Sequence, residues 1–210
     1  MESELARVEA LKDASGRIGG REVVVALSGI GKVNAAIAAL DMIAAHAPDA
    51  IINTGIAGGA DTAVADVMDV VAGVETAYHD IYCGPGFTRG TLQGLPQKFP
   101  GDPALLAAAM RGGAAAGVRL VGGLIASGEQ FVDSTDQIAA IRSLYPTVAA
   151  VDMESAAIAH VCHLRGVPFL ALRVISDVPG APNQAAQYEG FWDTLGTRSF
   201  AALSELLRNL

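Results

Sequence analysis

Residues 147–177, TVAAVDMESAAIAHVCHLRGVPFLALRVISD, constrain the fold more than any other stretch of the chain. Val148 to Val151 is a short apolar run of strand type, Asp152-Met153-Glu154 is an acidic turn, and a helix follows. Phe169 to Ile175 is a second apolar strand, closed by Ser176-Asp177. Two strands joined by a helix predict a βαβ unit, with both strand ends at one edge of a parallel sheet. Glu154 and Asp177 are therefore expected to face one crevice, at the edge where open α/β sheets bind their ligands. Each carboxylate taken alone also has a plain structural reading: Asp177 as a turn cap, and Glu154 as a charge that favours a helix N-terminus.

Taken from its start, the chain alternates strands and helices. Leu5, Val8 and Leu11 recur at spacings of three, a short amphipathic helix that Gly16, Gly19 and Gly20 end. Glu22 to Leu27 reads as a strand. It is followed by the glycine turn Ser28-Gly29-Ile30-Gly31-Lys32 and a helix with Val33, Ile37, Leu40 and Ile43 on roughly one face. The turn is not a Walker A loop, since Ala26 and Val33 stand where Gly and Ser or Thr are needed. It is not a dinucleotide fingerprint either, since Asn34 stands where Gly is needed. What it offers is backbone able to approach a ligand at a helix N-terminus. Ala50 to Asn53 is a buried strand running into Thr54-Gly55-Ile56-Ala57-Gly58-Gly59, and Asp66 to Val74 is another. Residues 78–99 are irregular and long for a loop without structure of its own, so they are expected to be functional or to dock on a partner. Pro103 opens an Ala-rich helix, Arg119 to Ala126 is a strand, and Ser134 with Gln137 forms a capping box for a helix ending near Tyr145. Pro179 and Pro182 enforce a loop after Asp177. Residues 184–210 read as mostly helical, with Phe191, Leu195, Phe200 and Leu203 facing inward.

With 210 residues, 51% of them hydrophobic and 17% charged, and with no internal repeat or linker, residues 1–210 are expected to form a single domain. A net charge of -8, with Lys and Arg scattered, opposes nucleic acid or an anionic membrane as partner. Cys83 and Cys162 lie too far apart for a metal pair or a disulfide framework and fit a reducing compartment. The acidic start Met1-Glu2-Ser3-Glu4 lacks the features of a signal peptide, and no apolar run approaches the ~20 residues of a membrane span. A cytoplasmic protein is expected. His160 and His163 share a helix face without a third ligand, so no metal site is read from them.

In a mainly parallel sheet the strand-end loops at Gly29, Gly55, Phe131, Glu154 and Asp177 form one pocket. It offers carboxylates, small residues and an aromatic ring, with no metal cluster and no nucleophile beside a base. The stretches SGIGKVNAA (28–36), INTGIAGG (52–59), AYHD (77–80), SGEQFV (127–132), VDMESAAIAHVC (151–162) and VPFLALRVISD (167–177) resemble the nucleoside phosphorylase and nucleosidase superfamily. They are most similar to the 5'-methylthioadenosine/S-adenosylhomocysteine nucleosidases, and they are colinear over most of the chain from residue 22 onward. The resemblance implies a single-domain α/β fold, a three-layer αβα sandwich with a mixed central sheet. It implies hydrolysis of the N-glycosidic bond of 5'-methylthioadenosine or S-adenosylhomocysteine, releasing adenine and the thioribose, by a homodimer without a cofactor. Residue by residue, it implies that Asp177 donates a proton to N7 of the departing adenine and that Ser176 orients Asp177. Glu154 would hold the ribose hydroxyls and Met153 would pack on the sugar. Phe131 would stack on the base, the Val132 backbone would read its edge, and Ile30, Ala57 and Gly58 would line the pocket. Arg173 would support the carboxylates from behind.

The residue types suit the chemistry. Breaking an N-glycosidic bond leaves an oxocarbenium-like sugar and an anionic purine, so the base must be protonated and the cation stabilised; neither task needs a metal. Phosphorylases of the superfamily carry Arg and Ser in the loop matching residues 53–56, where this chain has Asn53 and Ile56, so water is the expected nucleophile. The resemblance supplies its base as Glu4, in MESEL at positions 1–5. The family has a β-strand ahead of that segment and a longer hairpin after it. This chain starts at the Met and is shorter through residues 12–21, so it is expected to lack that strand, either because the true start lies further upstream or because part of the site is absent. Ile56 also replaces a residue that is often Ser in the family. Alternatives stay open: another purine nucleosidase or a nucleoside phosphorylase of the superfamily, such as one acting on futalosine, or a weakly active nucleoside-binding protein. His79-Asp80 either lines the end of the pocket that takes the 5'-substituent or closes a turn. Phe87 either reaches a neighbouring subunit's pocket or is an interface aromatic.

Overall fold

The computed structural model describes residues 15–194 together with Ala6, Glu9, Ala10, Lys12, Asp13, Glu205 and Arg208. The expected inward residues Leu5, Val8, Leu11, Leu195, Phe200 and Leu203 lie outside the described residues. A small antiparallel hairpin, β1 (Arg17–Ile18) and β2 (Arg21–Glu22), precedes the main sheet. That sheet comprises β3 (Ile51–Gly59), β4 (Val70–Tyr78), β5 (Lys98–Pro100), β6 (Leu120–Ser127), β7 (Val148–Asp152) and β8 (Phe169–Asp177). The described helices are α1 (Lys32–His46), α2 (Pro103–Ala116), α3 (Thr135–Leu144), α4 (Ser155–Arg165) and α5 (Gln184–Thr194).

Local chemistry accounts for the helix ends. Asp102 caps α2 by accepting hydrogen bonds from the N–H groups of Ala104 and Leu105 at 2.9 and 3.0 Å, with Pro103 in the first turn and Gly117 at φ 65° closing the helix. The expected capping box opens α3: Ser134 Oγ accepts from Gln137 N at 3.3 Å, and Gln137 Oε1 accepts from Ser134 N at 3.1 Å. The strand expected over Asp66 to Val74 begins at Val70 instead, because Asp66 N–H bonds Asp69 Oδ2 at 2.8 Å and Met68 takes a φ of 76°, which makes residues 66–69 a turn.

The sheet order is β5-β4-β6-β7-β3-β8, and β4 also pairs with β8, so the sheet curls until its ends meet. β4, β6 and β7 run one way, and β3 and β8 run the other. The sheet is therefore mixed, and the expected parallel βαβ unit around α4 is not what forms: β7 and β8 are antiparallel in direction, with β3 between them. The two strand ends still converge, because Gly58 of β3 stands opposite Val151 on one side and Asp177 on the other. A Cβ at Gly58 would lie 2.9 Å from Pro179 Cγ and 3.2 Å from Val151 Cγ2, so a residue without a side chain is what admits β7 and the chain after β8 on both flanks.

Helices cover both faces of the sheet. Against one face, α1 and α4 bring Ala35, Ala39, Ala157 and Cys162 onto Val71, Ile125, Ala150 and Ile175. On the other, Leu105 and Ala109 of α2 and Phe191 of α5 meet Val70, Leu170 and Leu172. A third cluster seats Ile141 of α3 against Leu124, Val132 and Val151. β8 lies where these layers meet and is buried at all nine positions, which is why it reads as an unbroken apolar run. The expected strand over Glu22 to Leu27 stops at Glu22. Val23 and Val25 pack inward, but residues 23–29 pair with no strand among the described residues, and the edge of β3 turned away from β8 pairs only at Gly58 and Gly59. Among the described residues no helix is long and apolar enough to cross a membrane.

Candidate functional site

A cavity of about 730 Å³ opens between residues 23–30, β3, and the ends of β7 and β8. Asp177, the last residue of β8, is 2% exposed and forms part of its wall. Its two carboxylate oxygens have different partners. Ser176 Oγ lies 2.5 Å from Oδ1, and Gln184 Nε2 donates to Oδ2 at 2.7 Å. Ser176 Oγ also lies 3.2 Å from the carbonyl of Ala57. One hydroxyl proton cannot serve both acceptors, and that suits an acid. When Asp177 is ionised the hydroxyl donates to it; when Asp177 carries a proton on Oδ1, the hydroxyl accepts from it and donates to Ala57 instead. Both protonation states are thus satisfied without moving a heavy atom.

Glu154 sits at the turn between β7 and α4 and faces the same cavity. Its Oε1 accepts from the Gly31 N–H at 3.0 Å, and its Oε2 lies 3.5 Å from Arg173 Nη2. The latter is a charge contact rather than a formed hydrogen bond, and Nη2 has no hydrogen-bond partner among the described residues. Oε2 therefore keeps lone pairs free for a ligand's hydroxyls. Burial pushes the Glu154 carboxyl above the usual carboxylate range; Arg173 opposes the shift, Asp152 adds to it, and the backbone N–H groups of Gly31 and Met153 also oppose it.

Arg173 is held from behind the site. Its Nε is 2.7 Å from Asp152 Oδ2 and 3.1 Å from Ser155 Oγ, while Asp152 also accepts from Ser127 Oγ at 2.5 Å and from the Ser155 hydroxyl. A Cβ at Gly55 would lie 2.1 Å from Arg173 Nη1, so the guanidinium occupies the space a side chain there would take. Asn53 Nδ2 donates to Ser155 Oγ at 3.1 Å and completes the buried network.

Phe131 lines the cavity 51% exposed, edge-on to Tyr188 of α5 at 5.6 Å between ring centroids. Val132 is buried, and its carbonyl already accepts from Gln184 Nε2 at 3.0 Å, which leaves its N–H and one lone pair for reading a base. Met153, Ile30, Ala57, Gly58 and Ser176 are also in the walls, so the cavity brings together every site residue picked out in the sequence except Glu4, which lies outside the described residues. Three residues of the site were missed: Gln184 and Tyr188, on a helix whose sequence carries no motif, and Asp152, which reads as part of an acidic turn. His79 and Asp80 do not line the cavity. Asp80 ties Lys32 to the loop after β6, and the His79 ring lies where a Cβ at Gly128 would go. His160 stacks on Phe99 at 5.3 Å, in the aromatic cluster with Tyr78.

The family model of the phosphorylase superfamily matches residues 7–208. A 5'-methylthioadenosine/S-adenosylhomocysteine nucleosidase of Actinobacillus succinogenes is 40% identical over 196 residues, which cover 93% of this chain and 84% of that protein. Among solved structures, the corresponding nucleosidase of Neisseria meningitidis in complex with methylthio-immucillin-A is 37% identical with a TM-score of 0.92, covering 100% of this chain and 96% of that one. The nucleosidase of Colwellia psychrerythraea in complex with adenine is 33% identical with a TM-score of 0.92, covering 100% and 92%.

Proposed function

Because this chain belongs to the 5'-methylthioadenosine/S-adenosylhomocysteine nucleosidases of the phosphorylase superfamily, we propose that it hydrolyses the N-glycosidic bond of those nucleosides and releases adenine. The observation that carries the reading is that a fully buried Asp177 and a Glu154 with a free oxygen share one nucleoside-sized cavity. Asp177, oriented by Ser176 and Gln184, gives its proton to N7 of the purine as the C1'–N9 electron pair leaves with the base. Glu154 accepts hydrogen bonds from the ribose hydroxyls, and its negative charge favours the oxocarbenium-like sugar. Phe131 covers the base, the Val132 backbone meets its edge, and Met153 packs on the sugar. A water deprotonated by Glu4 bonds to C1'.

The protein acts as a homodimer in this reading. Val33, Ile37 and Leu40 form an exposed apolar stripe along α1, Val33 at 68% exposure, continued by Ile30 at the cavity; such a stripe suits a self-complementary contact. The free thiols Cys83 and Cys162 suit the reducing cytoplasm.

Incubation with 5'-methylthioadenosine in the presence and absence of phosphate tests the proposal. Free methylthioribose and adenine at a rate independent of phosphate support it. A sugar 1-phosphate formed only with phosphate, or binding without turnover, overturns it.

A further inference from the structure

Gln184, the first residue of α5, is buried and does not itself line the cavity, yet it touches two residues that do, Asp177 and Val132. Its carboxamide is fully engaged. Nε2 donates to Asp177 Oδ2 at 2.7 Å and to the Val132 carbonyl at 3.0 Å, and Oε1 accepts from the Gly180 N–H at 2.8 Å. The amide can sit only this way round. A flip would set its NH2 against the Gly180 N–H and its oxygen against the Val132 carbonyl, two like contacts in place of two hydrogen bonds. The loop that presents Gly180 is fixed in turn: Val178 N–H donates to Gln187 Oε1 at 3.0 Å, and Gly180 itself, at a φ of 76°, packs so closely on the head of α3 that a Cβ there would lie 2.6 Å from Thr135 N.

A donor locked in this sense decides where a neighbouring acid keeps its proton. The hydroxyl oxygen of a carboxylic acid is a poorer acceptor than its carbonyl oxygen, so the N–H held on Oδ2 places the proton on Oδ1, where Ser176 Oγ lies 2.5 Å away to accept it. We propose that Gln184 is a positioning residue for the hydrolysis. It keeps the Asp177 proton on Oδ1, and with the same NH2 it ties Asp177 to the Val132 backbone, so that a base seated against Val132 finds the acid in register with its N7. When the proton passes from Oδ1 to N7, the C1'–N9 electron pair stays with the purine and Asp177 becomes a carboxylate. Its Oδ2 already has a donor, and Oδ1 gains one as the Ser176 hydroxyl turns to it from the Ala57 carbonyl. Gln184 thus acts through Asp177 and touches neither base nor sugar.

The inference rests on the nucleosidase reading, and its test separates the two. Full-length wild type, Gln184→Met, Asp177→Asn and the double variant are assayed on two substrates. One is 5'-methylthioadenosine, whose base needs the proton. The other is the nitrophenyl glycoside of methylthioribose, whose leaving group departs as a stable anion without one. Met keeps the length of Gln and removes its donor and acceptor. Circular dichroism checks folding, and Gln184→Asn, whose amide falls one methylene short of its partners, replaces a variant that does not fold. On 5'-methylthioadenosine, Gln184→Met should lose about tenfold in kcat with a smaller change in KM, and on the nitrophenyl glycoside it should stay within about twofold of the wild type. In the Asp177→Asn background there is no proton to place, so adding Gln184→Met should change kcat by less than about twofold. Equal losses on both substrates, the full loss repeated in the Asn background, or native kcat in Gln184→Met overturn the positioning role and leave the nucleosidase reading standing. A wild type that releases no adenine overturns the reading, and the inference with it.

Discussion

Replacing Arg173 by Met should destabilise the protein by about 3–5 kcal/mol, the cost of leaving a buried charge without its partner. The orphan is Asp152, whose side chain is 1% exposed and lies 2.7 Å from Arg173 Nε. The hydroxyls of Ser127 and Ser155 would still donate to it, but no cation would balance it. Met keeps most of the aliphatic volume of Arg173, so the loss reports charge rather than a cavity. For a domain of this size each kcal/mol lowers Tm by about 2–4 °C, which predicts a fall of about 6–20 °C. Urea unfolding at equilibrium gives the free energy directly. The decisive comparison is the same substitution made in Asp152→Asn: with only the longer Glu154 contact left to lose, Arg173→Met should cost about 2 kcal/mol less there. A loss below about 1 kcal/mol in the wild type, or an equal loss in both backgrounds, would refute the argument that Asp152 exists to hold Arg173 beneath Glu154.

Gly55→Ala should reproduce part of that loss, about 1–3 kcal/mol, because its Cβ would meet Arg173 Nη1 at 2.1 Å; an unchanged melting curve would mean the guanidinium is not seated over Gly55. For Glu154, the protonated acid is a poorer acceptor for two ribose hydroxyls, so KM should climb as pH falls, starting above the usual carboxylate range, and KM of Glu154→Gln should be high at every pH; a wild-type KM flat across that window counts against the sugar-holding role. Because the Glu154 carboxyl is raised in the empty folded protein, that group's contribution to stability increases as pH falls from the raised value towards the ordinary one, and differential unfolding of wild type and Glu154→Gln should diverge above that window and converge below it. Gln184→Leu leaves Asp177 Oδ2 and the Val132 carbonyl without their donor and should lower kcat by about tenfold with a smaller change in KM; native kcat in a folded variant would remove Gln184 from the site.

What a sequence discloses here follows from the range of each interaction. β8 is legible because burial on both sides demands an unbroken apolar run, and the Ser134–Gln137 box is legible because both of its hydrogen bonds close within three residues. The glycine turn at 28–32 and the acids at 154 and 177 are legible as strand-end chemistry, and they do share a cavity. Strand direction is another matter: apolar runs do not encode it, and the short contact of β7 with β3 at Gly58 and Gly59 reverses the expected parallel geometry. Val23 to Leu27 has the composition of a strand, but a strand also needs a partner edge, and none pairs with it among the described residues. Gln184 and Glu129 escape for the same reason. Gln184 bonds Val132, 52 positions away, as well as Asp177, seven away, and Glu129 bonds Lys32, 97 away; no local pattern marks a glutamine or glutamate that bonds across such gaps.

The shared cavity of Asp177 and Glu154 is tested most directly by following adenine release from 5'-methylthioadenosine for the wild type and Asp177→Asn, with substrate affinity measured alongside. Turnover should fall by about 10²–10⁴ while affinity stays within a few-fold, since Asn keeps the shape and loses only the proton. An Asp177→Asn enzyme that releases adenine at the wild-type rate would contradict the assignment.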